Sequence, residues 1–183
     1  MLNPKIRTNT ESANRISNFL ICIFCLLFHI FCLPLAHALN LDSAKVNFLK
    51  GDYPETIKEC ENILANAGSS SGLDELYHIL GISYLKQGNL LRASDIFEII
   101  IKEFKDSSFQ ESAVLGMGDV YMLKADYENA QNIYKQFLEQ NPNSAFKSLI
   151  FYRLAQISLK NGNWQEYQGY SEKLEKDYPL SFE

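Results

Sequence analysis

Two hydrophobic patterns divide this chain. From Phe19 to Leu35 it is almost continuously apolar (FLICIFCLLFHIFCLPL), preceded by Lys5, Arg7 and Arg15 against one acid, Glu11. Beyond Leu39 the large apolar residues come instead at three- and four-residue steps. Leu80 and Tyr84, or Met117 and Tyr121, show the spacing of one face of an α-helix. The first pattern, broken by Pro34 and followed by Ala36-His37-Ala38, has the layout of a secretory signal peptide over residues 1–38, cleaved after Ala38. Its competitor is a retained membrane anchor. The run sits at the lower edge of the ~17–25 residues that span a bilayer, and His29 and Pro34 interrupt it. A lipoprotein signal fits poorly, because His29-Ile30-Phe31 before Cys32 lacks small residues.

The second pattern repeats. Gly51, Gly88, Ala125 and Gly162 are each 37 residues apart, and so are Ala44, Gly81, Gly118 and Ala155. Thr56, Ala93, Ala130 and Tyr167 keep the same step, as do Ile63, Ile100, Phe137 and Leu174, and Ser70, Ser107, Ser144 and Ser181. Small residues in register mark close contacts between two antiparallel helices, where a missing side chain lets the axes approach. Gln87-Gly88-Asn89 and Asn161-Gly162-Asn163 predict the turn between paired helices, with Gly in a left-handed cap. The recurring Ser is expected to cap the first helix of the next pair, and Pro142 and Pro179 to stop the second helix. This predicts repeats over about 39–70, 71–107, 108–144 and 145–181, an array filling residues 39–183.

These segments resemble the tetratricopeptide repeat. LYHILGISYLKQGNLLRASDIFEIIIKEF and VLGMGDVYMLKADYENAQNIYKQFLEQNP carry its large–Leu–Gly–Tyr, Gly-Asn/Asp-Tyr, Ala, aromatic and Pro positions. The first repeat has lost part of its first helix. The fourth departs from the pattern at Ser158, Tyr167 and Ser171. The resemblance implies an all-α fold, a right-handed α–α superhelix of about 3.5–4 helix-turn-helix repeats. A period of 37 in place of ~34 adds nearly one helical turn. The long second helix is similar to that of the bacterial envelope branch, which includes outer-membrane assembly lipoproteins and periplasmic coordinators of cell division with the Tol–Pal system.

Composition narrows the chemistry. Lys+Arg number 17 and Asp+Glu 22, a net −5 that lacks the basic footprint of a nucleic-acid binder. Loss of residues 1–38 would deepen the charge to −7 and leave one thiol, Cys60, and one imidazole, His78. No intramolecular disulfide could then form. Cys60 shares a column with Phe97 and Tyr134 and is expected to fill core space. Cys22-x-x-Cys25 lies inside the apolar run, where the membrane-signal reading outweighs a metal site. Gly116-Met117-Gly118 falls within a predicted helix and follows no strand, so it fails as a phosphate loop. The expectation is a non-enzyme with no catalytic residues, no cofactor, no metal and no small-molecule substrate.

A binding surface remains. The family's groove positions correspond to His78, Ile82, Leu85 and Lys86 in repeat two and to Leu115, Asp119 and Met122 in repeat three. In repeat four they correspond to Tyr152, Gln156 and Lys160, with Leu123, Leu149 and Leu159 in the wider set. Tyr152 is the preferred anchor, beside Leu115 and Met122. Leu41, Lys45, His78 and Ile82 stand where chaperone-docking relatives hold a carboxylate clamp, so an apolar segment is expected in place of a charged tail. The implied role is a periplasmic or secreted adaptor that holds an envelope protein or peptide partner. The competing role is a spacer presenting a C-terminal peptidoglycan-binding or catalytic domain.

Overall fold

The computed structural model describes residues 39–68 and 70–179, all within the unit Ala38–Glu183. The expected signal peptide and Ser181 lie outside them. The described residues form eight α-helices and no β-strand: α1 Asp42–Leu49, α2 Tyr53–Asn66, α3 Leu73–Lys86, α4 Leu90–Glu103, α5 Gln110–Leu123, α6 Tyr127–Gln140, α7 Lys147–Lys160 and α8 Trp164–Asp177. Odd-numbered helices open each pair and even-numbered ones close it, giving an all-α helical-repeat superhelix.

The turn inside each pair is built the same way four times. Gly51, Gly88, Ala125 and Gly162 hold φ of 76°, 77°, 58° and 70°, so the 37-residue glycine column is a column of left-handed caps. The next residue, Asp52, Asn89, Asp126 or Asn163, accepts the backbone N–H of the residue three ahead at 3.2–3.3 Å. Each such N-cap satisfies one donor that the helix itself leaves free.

The serine column works differently from the expectation. The first helices of repeats three and four have Phe109 and Phe146 at the N-cap position, which provide no side-chain cap. Ser107 and Ser144 sit two residues earlier, where each Oγ accepts the N–H of that phenylalanine at 3.0 and 3.1 Å. Each hydroxyl then donates to an acid in the first turn of the preceding first helix, Ser107 to Asp74 and Ser144 to Glu111, both at 2.6 Å. The serine is therefore a clasp between repeats. A hydroxyl can donate and accept at once, which lets one side chain turn the chain and tie it back.

The core sits at the small-residue columns. A Cβ on Gly81 would lie 2.8 Å from the Phe97 ring, and one on Gly118 would lie 2.4 Å from that of Tyr134. Both aromatic side chains are fully buried, each lying over the glycine of its own pair. Phe97 also reaches Gly116 of the next pair, where a Cβ would lie 2.4 Å away. One ring thus closes two helix contacts. Cys60, in the same column as Phe97 and Tyr134, is buried in the first core cluster. Neighbouring first helices touch, α1 with α3 and α3 with α5. Helices in contact lie on the shorter arc of a curved array, so the odd-numbered helices line its concave face.

Candidate protein-binding groove

Three first helices, α3, α5 and α7, carry the residues in question. His78 is half-buried: its ring stacks on Phe109 at 4.6 Å, and Nε2 lies 2.7 Å from Ser112 Oγ. Burial lowers its pKa, and nearby Glu75 opposes that shift. Ile82 and Leu85 are half-buried and pack against the first core cluster. Lys86 is exposed at the end of α3.

Repeat three corrects one expectation and shows what holds another residue in place. Leu115 is only 7% exposed and belongs to the second core cluster with Tyr134, Phe137 and Leu154. It supports the groove from beneath and cannot serve as a contact side chain. Asp119 is committed to the fold. Its Oδ1 accepts from the Tyr134 hydroxyl at 2.6 Å and from Arg153 Nε at 2.8 Å, and its Oδ2 accepts from Arg153 Nη2 at 3.2 Å. Burial and the Asp119 carboxylate push the Tyr134 hydroxyl far above its usual range, so it stays a donor. The cluster ties α5, α6 and α7 together. Met122 is half-buried at the edge of the second core cluster.

In repeat four Tyr152 is 44% exposed, and Leu149 and Leu159 are exposed beside it. Leu149, Tyr152, Gln156 and Leu159 follow helical spacing and make one stripe along α7. Gln156 accepts from Arg153 Nη1 at 3.3 Å, and Lys160 is exposed. Arg153 is the residue that the sequence reading missed. Its column holds Ile79 and Gly116, and a long cation in a column of apolar and small residues is the signal that could have found it.

The structure brings four of these positions to one cleft. Leu85, Lys86, Gln87, Gly88, Asp119, Met122, Leu123 and Arg153 surround a space of about 470 Å³. That is within the ~300–1,000 Å³ of ordinary ligand sites. Leu123, 61% exposed, forms its outer lip. His78, Ile82, Tyr152, Gln156 and Lys160 do not line it. The cleft offers apolar walls, the exposed cation Lys86 and the Asp119–Arg153 pair, a recognition chemistry. Cys60 is remote from nucleophilic work, since burial pushes its thiol up to about 12 and keeps it protonated. Among the described residues no His/Cys/Asp/Glu group could hold a metal, and no helix is long and apolar enough to cross a membrane.

Comparison with known proteins agrees with the fold. Tetratricopeptide repeat protein 1 of Schizosaccharomyces pombe is 29% identical over 103 residues, covering 56% of this chain and 10% of that protein. Photosystem I assembly protein Ycf3 of Prochlorococcus marinus is 30% identical over 95 residues, 50% of this chain and 55% of that one. The chain therefore spans at most about half the length of these relatives. Among solved structures, the repeats of a putative kinesin light chain from Podosopora anserina superpose with a TM-score of 0.62 at 17% identity, over 96% of both chains. PilF of Pseudomonas aeruginosa superposes with a TM-score of 0.55 at 16% identity, over 77% of this chain and 60% of its own. A model of the tetratricopeptide repeat-like domain matches residues 75–183, more than half of the sequence, and this chain belongs to that family.

Proposed function

We propose that this protein is a non-enzymatic adaptor of the bacterial cell envelope, exported by its N-terminal segment, that holds a partner protein through the concave face of its repeats. Repeats of this family are scaffolds for protein–protein contact. The single observation that carries the reading is the set of exposed apolar side chains on two first helices, Leu123 on α5 and Leu149, Tyr152 and Leu159 on α7. Apolar side chains exposed together on neighbouring helices gain free energy when a partner covers them. The basic–apolar–Ala-x-Ala order of residues 1–38 supports export. The name of one relative by sequence, Ycf3, marks it as an assembly protein, which is in keeping with a scaffolding role.

Site-specific photocrosslinking tests this. A benzophenone amino acid at Tyr152 should yield one dominant protein adduct in the envelope fraction. The same group at Glu98, on the solvent face of α4, should yield none. Adducts from Glu98 alone would move the binding surface to the convex side. Adducts found only in the cytoplasmic fraction would remove the envelope from the proposal.

A further inference from the structure

The cleft is charged in a lopsided way, with Lys86 and Arg153 beside a single acid, Asp119. That acid is already engaged by Arg153 Nε and Nη2 and by the Tyr134 hydroxyl. Lys86, at the end of α3, has no ion-pair partner among the described residues and lines the same cleft as Arg153 of α7. Arg153 spends three N–H groups on Asp119 and Gln156, which leaves two of its five for another acceptor. A protein with net charge −5 therefore presents one unmatched cation, Lys86, and spare Arg153 N–H donors at a cleft with apolar Leu85, Met122 and Leu123.

We infer that the cleft between α3, α5 and α7 recognises an extended segment of a partner protein in which an apolar side chain is followed or preceded by an aspartate or glutamate. The apolar side chain fills the space between Leu85, Met122 and Leu123, and the carboxylate meets Lys86 and the free N–H groups of Arg153. The segment passes through the cleft; it does not end there. Exposed apolar contacts continue on both sides along α7, at Leu149 and Tyr152 before Arg153 and at Leu159 after it. At 1.5 Å per residue these lie roughly 6 and 9 Å to either side, a distance that only a continuing chain can use. Charge complementarity of this kind fixes register and sets partner choice more than it sets total affinity. The inference deepens the groove reading above and depends on it.

A random peptide library displayed on phage, selected against the folded chain, tests both levels separately. Wild type should enrich sequences with Asp or Glu beside Leu, Phe or Met. A selected sequence made as a synthetic peptide should bind about fivefold more weakly when its acid becomes the amide, the size of an exposed ion pair. Lys86→Glu should lower affinity for the acidic peptide about tenfold, and Lys86→Gln by less, because the first adds repulsion to the loss of attraction. Raising the salt concentration should close the gap between variants. Enrichment of apolar sequences without acids would overturn this inference and leave the groove reading standing, as would equal binding to all three proteins. Loss of binding on amidating only the peptide's C-terminus would replace the internal acid with a chain end and overturn it too. Failure of wild type to enrich any sequence would count against the groove reading itself.

Discussion

Among the described residues, Ala125 occupies the one left-handed cap that is not glycine, with φ of 58°. A Cβ in that region costs roughly 1–2 kcal/mol, partly repaid because alanine is less disordered than glycine when unfolded. Ala125→Gly should therefore stabilise the array by about 0.5–1 kcal/mol, read as a rise in the denaturation midpoint. Two other glycines should respond with opposite signs. Gly169 in α8 has nothing within 4 Å of an added Cβ, so Gly169→Ala should gain about 0.5–1 kcal/mol of helix propensity. A Cβ on Gly118 would lie 2.4 Å from a Tyr134 ring that burial and Asp119 hold in place, so Gly118→Leu should cost about 1–3 kcal/mol or fail to fold. His78 adds a pH dependence. Its folded pKa is lowered by burial, so the unfolded chain binds more protons as the pH falls below 6.5. Stability should decline through that window on acidification, and His78→Gln should flatten the slope.

At the scale of the helix pair, each turn is a left-handed residue followed by an Asp or Asn N-cap. Asp126→Ala should cost about 1 kcal/mol by freeing the N–H of Asn129, measured by denaturant melting. The glycine column was legible from sequence alone, because repetition at a fixed step separates a backbone requirement from chance. Helix pairing was legible for the same reason. The clasp of Ser107 on Asp74 and Ser144 on Glu111 was not, although both partners recur at 37 residues. A serine before a helix has a familiar local use, and a bond spanning 33 residues leaves no local trace. Leu115 shows the opposite difficulty. Its column also holds His78 and Tyr152, and periodicity alone cannot tell a half-buried face from a buried one. What covers Leu115 is the neighbouring repeat, which only the assembled array supplies. The pair of Asp119 and Arg153 lies across such a boundary too, with both side chains about 30% exposed. A double-mutant cycle on Asp119→Asn and Arg153→Met should give a coupling of about 0.5–3 kcal/mol, whereas non-contacting positions would add independently.

At the scale of the whole array, stability and recognition should separate by mutation. Repeats couple to their neighbours, so Leu115→Ser, emptying a buried site in the second core cluster, should cost about 2–5 kcal/mol and loosen α5 through α8 together. Tyr152→Ala should leave melting intact and abolish co-purification of the partner. The N-terminal boundary joins these two arguments. Leu39 N–H donates to Ser71 O at 3.2 Å, and Leu41 is buried against the first core cluster, so the array already uses its first described residues. Asn40 Oδ1 accepts the N–H of Asp42 at 3.0 Å and sets the start of α1. The proposed cleavage after Ala38 removes none of these contacts, whereas cleavage three residues later removes them all. Exported protein should therefore have the intact mass of a chain beginning at Leu39. A chain beginning at Asp42 should melt at a lower temperature than one beginning at Leu39, since it loses Leu41 from the core. Equal melting would place the stable edge of the array at α2. A full-length mass in the membrane fraction would establish residues 19–35 as an anchor and tether the groove to the bilayer.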